Sequence, residues 1–299
     1  MINVGSNLKT SKKAVEIAEN FKEGVYAAVG LHPIHALDEK FDIGEYEKLA
    51  RHPKVVAIGE VGLDYYRLPA SIRPEQMGGA AIGRQIKTPD DIKNLQKDIL
   101  KQFINLSERR RLPLILHCRD GVVTEKETRT LATAGFGHAE RGFGAQHEIL
   151  DILYGFDANS SGFDTRGVAH CFSGNWEQAL RYLNLDFLIS FTGIITFAHY
   201  EGEVLKKAPL NKIMVETDSP YLTPEPFRGK RNEPLYVEYA AREVARVKEI
   251  PYEEVAKQTT NNALCLFSKI GKISKKKYEM PCRMKGARSA RKKFLHAKK

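Results

Sequence analysis

The sequence predicts an α/β fold of the TIM type, a parallel (β/α)8 barrel, and three observations predict it. Short apolar, β-prone runs alternate along the chain with segments of helical periodicity, as in repeated strand–helix units. Four of those runs stop on a metal-ligand residue: KVVAIGE on Glu60, LPLILH on His117, GVAH on His170 and KIMVETD on Asp218. A parallel barrel gathers its C-terminal strand ends on one face, where residues distant in sequence converge on one site. The third observation is size, since 299 residues at 42% hydrophobic content bury a full core.

The strand candidates are, in order, INVGS, VYAAVGLH, KVVAIGE, LPLILHC, GVAHCF, DFLISFTG and KIMVETD. Each is a short apolar run rich in β-prone residues, as expected of strands buried on both faces. Between and after them come helical patterns: SKKAVEIAENF, IGEYEKLAR, DDIKNLQKDILKQFINLSERR, NWEQALRYLN, YVEYAAREVARVK and YEEVAKQTTNNALCLFSK. A closed barrel of this kind needs eight strands, whereas seven would leave two edges with unpaired backbone groups. The expectation is therefore a barrel whose first strand is missing from this chain. An open doubly wound sheet tolerates seven strands, but it gives no reason for ligands at so many strand ends in turn.

The barrel is expected to occupy residues 1–270. Two stretches fit the strand–helix scheme poorly, residues 70–90 and 120–166, and read as excursions from the strand ends, either substrate loops or insertions without function. Residues 271–299 hold twelve of the 47 Lys and Arg but one of the 37 Asp and Glu, so the formal charge of +10 belongs to the tail. The preceding residues, with 35 basic and 36 acidic groups, are close to neutral. The tail is expected to be disordered, and it is either a solvated extension or an electrostatic tether to nucleic acid.

No apolar run is long enough to span a bilayer and the start MINVGSNLKTSKK lacks a signal-peptide core, so the expectation is a cytoplasmic protein with no membrane partner. No obligate protein partner is expected. Cys118 and Cys171, each directly after a candidate histidine, point to the opposite face of their strands and read as packing residues.

Other motifs are absent. His147-Glu148 is followed by Asp151 where a zinc helix of the H-E-x-x-H type needs its second histidine, and there is no G-x-S-x-G elbow or phosphate-binding G-x-x-x-x-G-K-[ST] loop. Any one of the four ligand candidates alone would read as a surface carboxylate, a helix cap or a satisfied polar group. Their shared topological position makes the case.

The strings GLHP, GEVGLDYY, LHCRD, HCFSG, ETDSPYL and P-x-P-x-RGKRNEP, in this order, resemble the TatD family of metal-dependent deoxyribonucleases over most of residues 1–268. The resemblance implies a TIM-type barrel, a centre of two divalent metal ions (Mg, Mn or Zn) and hydrolysis of phosphodiester bonds in DNA, typically from 3′ to 5′. By position, Glu60 would bridge the metals, His117 and His170 would complete one shell, and Asp218 would bind the other metal and take the proton of the attacking water. Arg228, Lys230 and Arg231 would contact phosphate, with Arg119 and His32 in the same cleft.

The family opens on a strand ending in H-x-H, and this chain has no such pair before its first strand. The second metal would then keep only Glu60 and Asp218. A start codon assigned too late is the expected reason, ahead of a fragment or a genuine variant, because losing a barrel strand costs core packing. Two other functions stay open: the same hydrolase on another ester, such as a mischarged aminoacyl-tRNA, and a degenerate barrel that binds nucleic acid without catalysis.

Overall fold

Apolar β-branched runs set the frame. In the computed structural model, which describes residues 1–68, 86, 88–121, 144–159, 166–198 and 202–273, the chain divides into two compact units, Ile2–Thr165 and Arg166–Lys299. The first holds strands β1 (Ile2–Val4), β2 (Tyr26–Val29), β3 (Val55–Asp64) and β4 (Leu114–Arg119), each parallel to the next. The second holds β5 (Gly167–Ala169), β6 (Leu188–Phe191) and β7 (Ile213–Val215), also parallel in sequence order. These are the seven strands read from the sequence, and the α/β class with parallel sequential strands is the one expected. Among the described residues there is no eighth.

The helices of the first unit are α1 (Leu8–Glu19), α2 (Ile43–Ala50), α3 (Pro89–Arg110) and α4 (Ala145–Asn159). Those of the second are α5 (Trp176–Asn184), α6 (Glu203–Lys207), α7 (Val237–Lys248), α8 (Tyr252–Leu266) and α9 (Lys269–Ile273). Local chemistry starts several of them. Asn7 and Thr10, Thr88 and Asp91, and Asn175 and Gln178 form reciprocal capping boxes that satisfy the orphan N–H groups of α1, α3 and α5. Helix α3 adds Pro89 in its first turn, two acidic residues at its start and two arginines at its end, in line with the helix dipole, and stops at Arg111 in the left-handed region.

The inner face of α3 buries Ile92, Leu95, Ile99, Leu100, Phe103, Ile104 and Leu106. Phe103 meets Tyr46 of α2 edge-on at 5.0 Å and Phe41 at 5.5 Å. The Tyr46 hydroxyl, inside this cluster, donates to Glu39 at 2.6 Å, and Glu39 also accepts the Leu8 N–H at the start of α1. One carboxylate thus satisfies a buried phenol and a helix terminus together.

Two expectations need correction. Residues 120–166 were expected to be an excursion, yet α4 lies within them, burying Ala145, Ile149, Leu150 and Leu153 at helical spacing. The local sequence carries no N-cap, because the cap comes from a distance: Asp120, just after β4, accepts the Gln146 N–H at 3.0 Å. Glu148, in the failed zinc signature, is structural, accepting the Tyr65 hydroxyl at 2.9 Å and the Lys97 ammonium at 2.8 Å.

The second correction concerns strand ends. Strand β3 runs four residues past Glu60 to Asp64, and β4 runs two past His117, whereas His170 directly follows β5 and Asp218 lies three residues beyond β7. The excursion at 70–90 falls outside the described residues except for 86 and 88–90, and so does the tail from 274 onward. No described helix is long and apolar enough to cross a membrane.

The long β3 is fitted to β4 through a register shift between Ile58 and Val61, after which Gly62 pairs with His117 and Asp64 with Arg119. Gly62 has φ 155°, and a β-carbon there would lie 1.8 Å from the His117 carbonyl oxygen. Only glycine permits that approach. Gly62→Ala should therefore lower unfolding stability by roughly 2 kcal/mol or more, measured by urea denaturation; a midpoint equal to wild type would contradict this account of the β3–β4 contact.

Candidate metal centre

The register of β3 against β4 decides what His117 meets. Residues two apart on a strand share a face, so Glu60, Gly62 and Asp64 present the same side of β3, and pairing at Gly62 puts His117 on that side as well. The imidazole reaches both carboxylates: Nδ1 lies 2.7 Å from Glu60 Oε1 and Nε2 lies 3.2 Å from Asp64 Oδ2. Each ring nitrogen thus faces a carboxylate oxygen. A metal that took Nδ1 would leave Nε2–H donating to Asp64, the carboxylate–histidine–metal arrangement of many metalloproteins.

Asp64 is 2% exposed, and its Oδ1 also accepts the N–H groups of Tyr66 and Arg67, both at 3.1 Å. Burial by itself would raise its pKa; the hydrogen bond and charge of His117, with the Arg67 N–H and His32, outweigh it and bring the pKa below the ordinary value. Gln96, a polar residue on the buried face of α3, accepts the Asp64 N–H at 3.0 Å and donates to the carbonyls of Asp64 and Pro33 at 3.3 Å each. It ties the end of β3 to the segment that carries His32.

His32 follows β2, with Nε2 3.4 Å from Glu60 Oε1 and its ring 4.1 Å from that of His117. Its Nδ1 accepts the Ile34 N–H at 3.2 Å, so the neutral ring carries its proton on Nε2 and donates toward Glu60. Burial lowers its pKa, and Glu60 partly opposes that. The ligand atoms of His32, Glu60 and His117 all lie within 4.8 Å of one another, a donor set suited to a divalent ion. For His32 to join through Nε2 it would have to move its proton to Nδ1 and give up the Ile34 bond, so Glu60 and His117 are the better-prepared pair. Arg119, at the end of β4, lies with its guanidinium carbon 3.8 Å from the centre of the Tyr66 ring.

The second unit carries His170 and Asp218. His170 Nδ1 lies 2.6 Å from Oε2 of Glu216, the residue directly after β7. The other oxygen of Glu216 accepts the Cys171 N–H at 2.9 Å and the hydroxyl of Ser190 on β6. Burial would raise the Glu216 pKa, but His170, Ser190 and the Cys171 N–H outweigh it, so the pKa falls below its ordinary value and the group is an anion at neutral pH. Burial pushes the Cys171 thiol up to about 11, with Glu216 and Asp218 adding to it against an opposing effect of His170. Cys171 is partly buried and Cys118 is buried.

Asp218 sits in the left-handed region at φ 55°, a conformation that Asp tolerates better than most residues. The buried Asn232 side chain holds it from both sides, donating to the Thr217 carbonyl at 2.7 Å and to the Tyr221 carbonyl. Of the basic segment, Arg228 donates to the Thr223 carbonyl at 2.7 Å and packs 3.6 Å from the centre of Phe197, Lys230 lies 5.6 Å from the centre of the Phe227 ring, and Arg231 is exposed. Phe227 itself stacks on Tyr236 at 4.5 Å.

The structure thus groups Glu60, His117 and His32 on the first unit, and His170 beside Glu216 on the second, with Asp218 near enough to act on Cys171. Sequence reasoning missed Asp64, Gln96 and Glu216 as parts of the site. Asp64 had a readable signal, lying four residues past Glu60 and hence on the same strand face. Gln96 had another, as a glutamine on a mostly apolar helix face.

Known proteins are similar to this chain in sequence and fold. A family model described as TatD related DNase matches residues 1–268. The uncharacterized metal-dependent hydrolase YabD of Bacillus subtilis is 36% identical over 270 residues, covering 89% of this chain and 86% of that protein. The uncharacterized metal-dependent hydrolase TatD of Mycobacterium tuberculosis is 31% identical over 267 residues, covering 88% and 83%. Among solved structures, the TatD homolog YJJV of Escherichia coli superposes with a TM-score of 0.66 at 26% identity, covering 89% of this chain and 85% of that one. The match runs through both units and through every strand described above, and the chain belongs to the TatD family.

Proposed function

We propose that this protein is a metal-dependent hydrolase that cleaves phosphodiester bonds in DNA, acting as a 3′-to-5′ exonuclease inside the cell. The observation that carries the hydrolase part is the partly buried donor set on β3 and β4, where Glu60 and His117 meet at 2.7 Å in a chain of this family. The donors fit a divalent ion: carboxylate and imidazole groups, gathered within a few ångströms and supported from behind by Asp64. Glu60, His117, His170 and Asp218 would hold two ions, Mg, Mn or Zn. When bound, such ions supply positive charge to a phosphoryl group and make water more acidic.

The protein's own groups do the rest. Asp218, in the segment whose Thr217 and Tyr221 carbonyls Asn232 bridges, accepts a proton from the attacking water. Arg228, Lys230 and Arg231 bind phosphate oxygens, Arg228 with its orientation set by the Thr223 carbonyl and the Phe197 ring. His32 donates to Glu60 and limits its rotation. Arg119 stands at the end of the strand that carries His117 and is a further contact for the nucleic acid. The basic tail, with its +11 charge, adds a sequence-independent tether by counterion release.

Glu60→Ala should lower cleavage of a labelled single-stranded oligonucleotide by more than ~100-fold, since loss of a ligand costs at least what loss of a ligand's support does. Full activity in a folded, metal-depleted variant would refute the assignment. Chelation should abolish turnover and added divalent ion should restore it. If the restored protein hydrolyses an aminoacyl ester and leaves DNA intact, the hydrolase reading survives and the nuclease reading does not. Deleting residues 271–299 should weaken DNA binding at low salt and flatten its salt dependence, while binding that ignores the deletion would remove the tail from the account.

A further inference from the structure

Glu216 is a partly buried carboxylate that the proposed reaction does not use. It lies two residues before Asp218, and its carboxylate accepts from three groups: the His170 ring at 2.6 Å, the Cys171 N–H at 2.9 Å and the Ser190 hydroxyl. Those donors come from β6 and from the turn that follows β5. The division between its two oxygens is what matters. Oε2 takes the imidazole, and Oε1 takes a backbone N–H, which can only donate.

We propose that Glu216 is a positioning residue that fixes His170 in the Nδ1–H tautomer, so that the ring offers Nε2 to a metal ion. The proposal rests on the reading of His170 as a metal ligand. With Nδ1 committed as a donor to Glu216, the neutral ring carries its lone pair on Nε2. His117 is prepared the other way round, with Nδ1 toward the ligand carboxylate Glu60 and Nε2 toward the supporting carboxylate Asp64. The two histidines would therefore bind through opposite ring nitrogens, each backed by a carboxylate that is not itself a ligand.

Glu216→Gln separates positioning from packing, because the amide has the same shape. The Cys171 N–H requires an oxygen on its side, which turns the –NH2 toward His170 and makes Nδ1 the acceptor. The ring must then carry its proton on Nε2, the wrong tautomer for binding through that atom. Long-range 1H–15N correlation spectra of the metal-free full chain, at a pH where the ring is neutral, read this directly. Wild type should show Nδ1–H and the variant Nε2–H, and zinc affinity from competition with a chromophoric chelator should fall by roughly 10- to 100-fold in the variant.

A wild-type spectrum showing Nε2–H overturns the proposal without recourse to any variant. So does a Glu216→Gln protein with a wild-type circular dichroism spectrum that binds zinc within about threefold of wild type. A wild-type chain that shows the Nδ1–H tautomer but binds no zinc would confirm the contact and defeat the metal-ligand reading of His170 instead.

Discussion

The contact between His117 and the two carboxylates of β3 is the constraint on which the rest of the first unit depends. A histidine held at 2.7 Å and 3.2 Å by Glu60 and Asp64 requires those residues on one strand face, four apart, with no side chain between them to obstruct the ring. That accounts for Gly62, whose missing β-carbon lets β3 close on the His117 backbone, and for the shifted register that precedes it. It also accounts for Gln96, since Asp64 can serve as a fixed acceptor only if the end of β3 is itself held.

The second unit solves the same problem with different parts. Glu216 collects donors from neighbouring segments, and the cost of burying its charge is offset by the hydrogen bonds it receives. The loop beyond it places Asp218 in a left-handed conformation, held by a buried asparagine side chain that bridges two carbonyls. In both units a carboxylate faces one ring nitrogen of a histidine, Asp64 against His117 and Glu216 against His170.

Much of this was legible in the sequence, and what was not has physical reasons. All seven strands could be read because short apolar runs such as Val55–Ile58 and Leu114–Leu116 leave little other choice. Helix α4 escaped because its cap, Asp120, lies across a long stretch of chain that offers no local start signal. Glu60, His117, His170 and Asp218 stood out by residue type and by placement near strand ends, although β3 and β4 in fact continue past their ligands. Glu216 and Asp64 were in plain view within ETDSPYL and GEVGLDYY. What the string cannot show is which carboxylates face an imidazole, because that depends on the register between strands.

The central proposal is that Glu60, His117, His170 and Asp218 hold divalent ions. Crystals grown with Mn2+ and measured at its absorption edge would test it most directly, by locating the ions from anomalous scattering. The account predicts anomalous density in contact with Glu60 and His117, with Asp64 and Glu216 against their histidines and not against the ions. Density bound elsewhere, or ions ligated by Asp64 or Glu216 in place of the histidines they face, would contradict it.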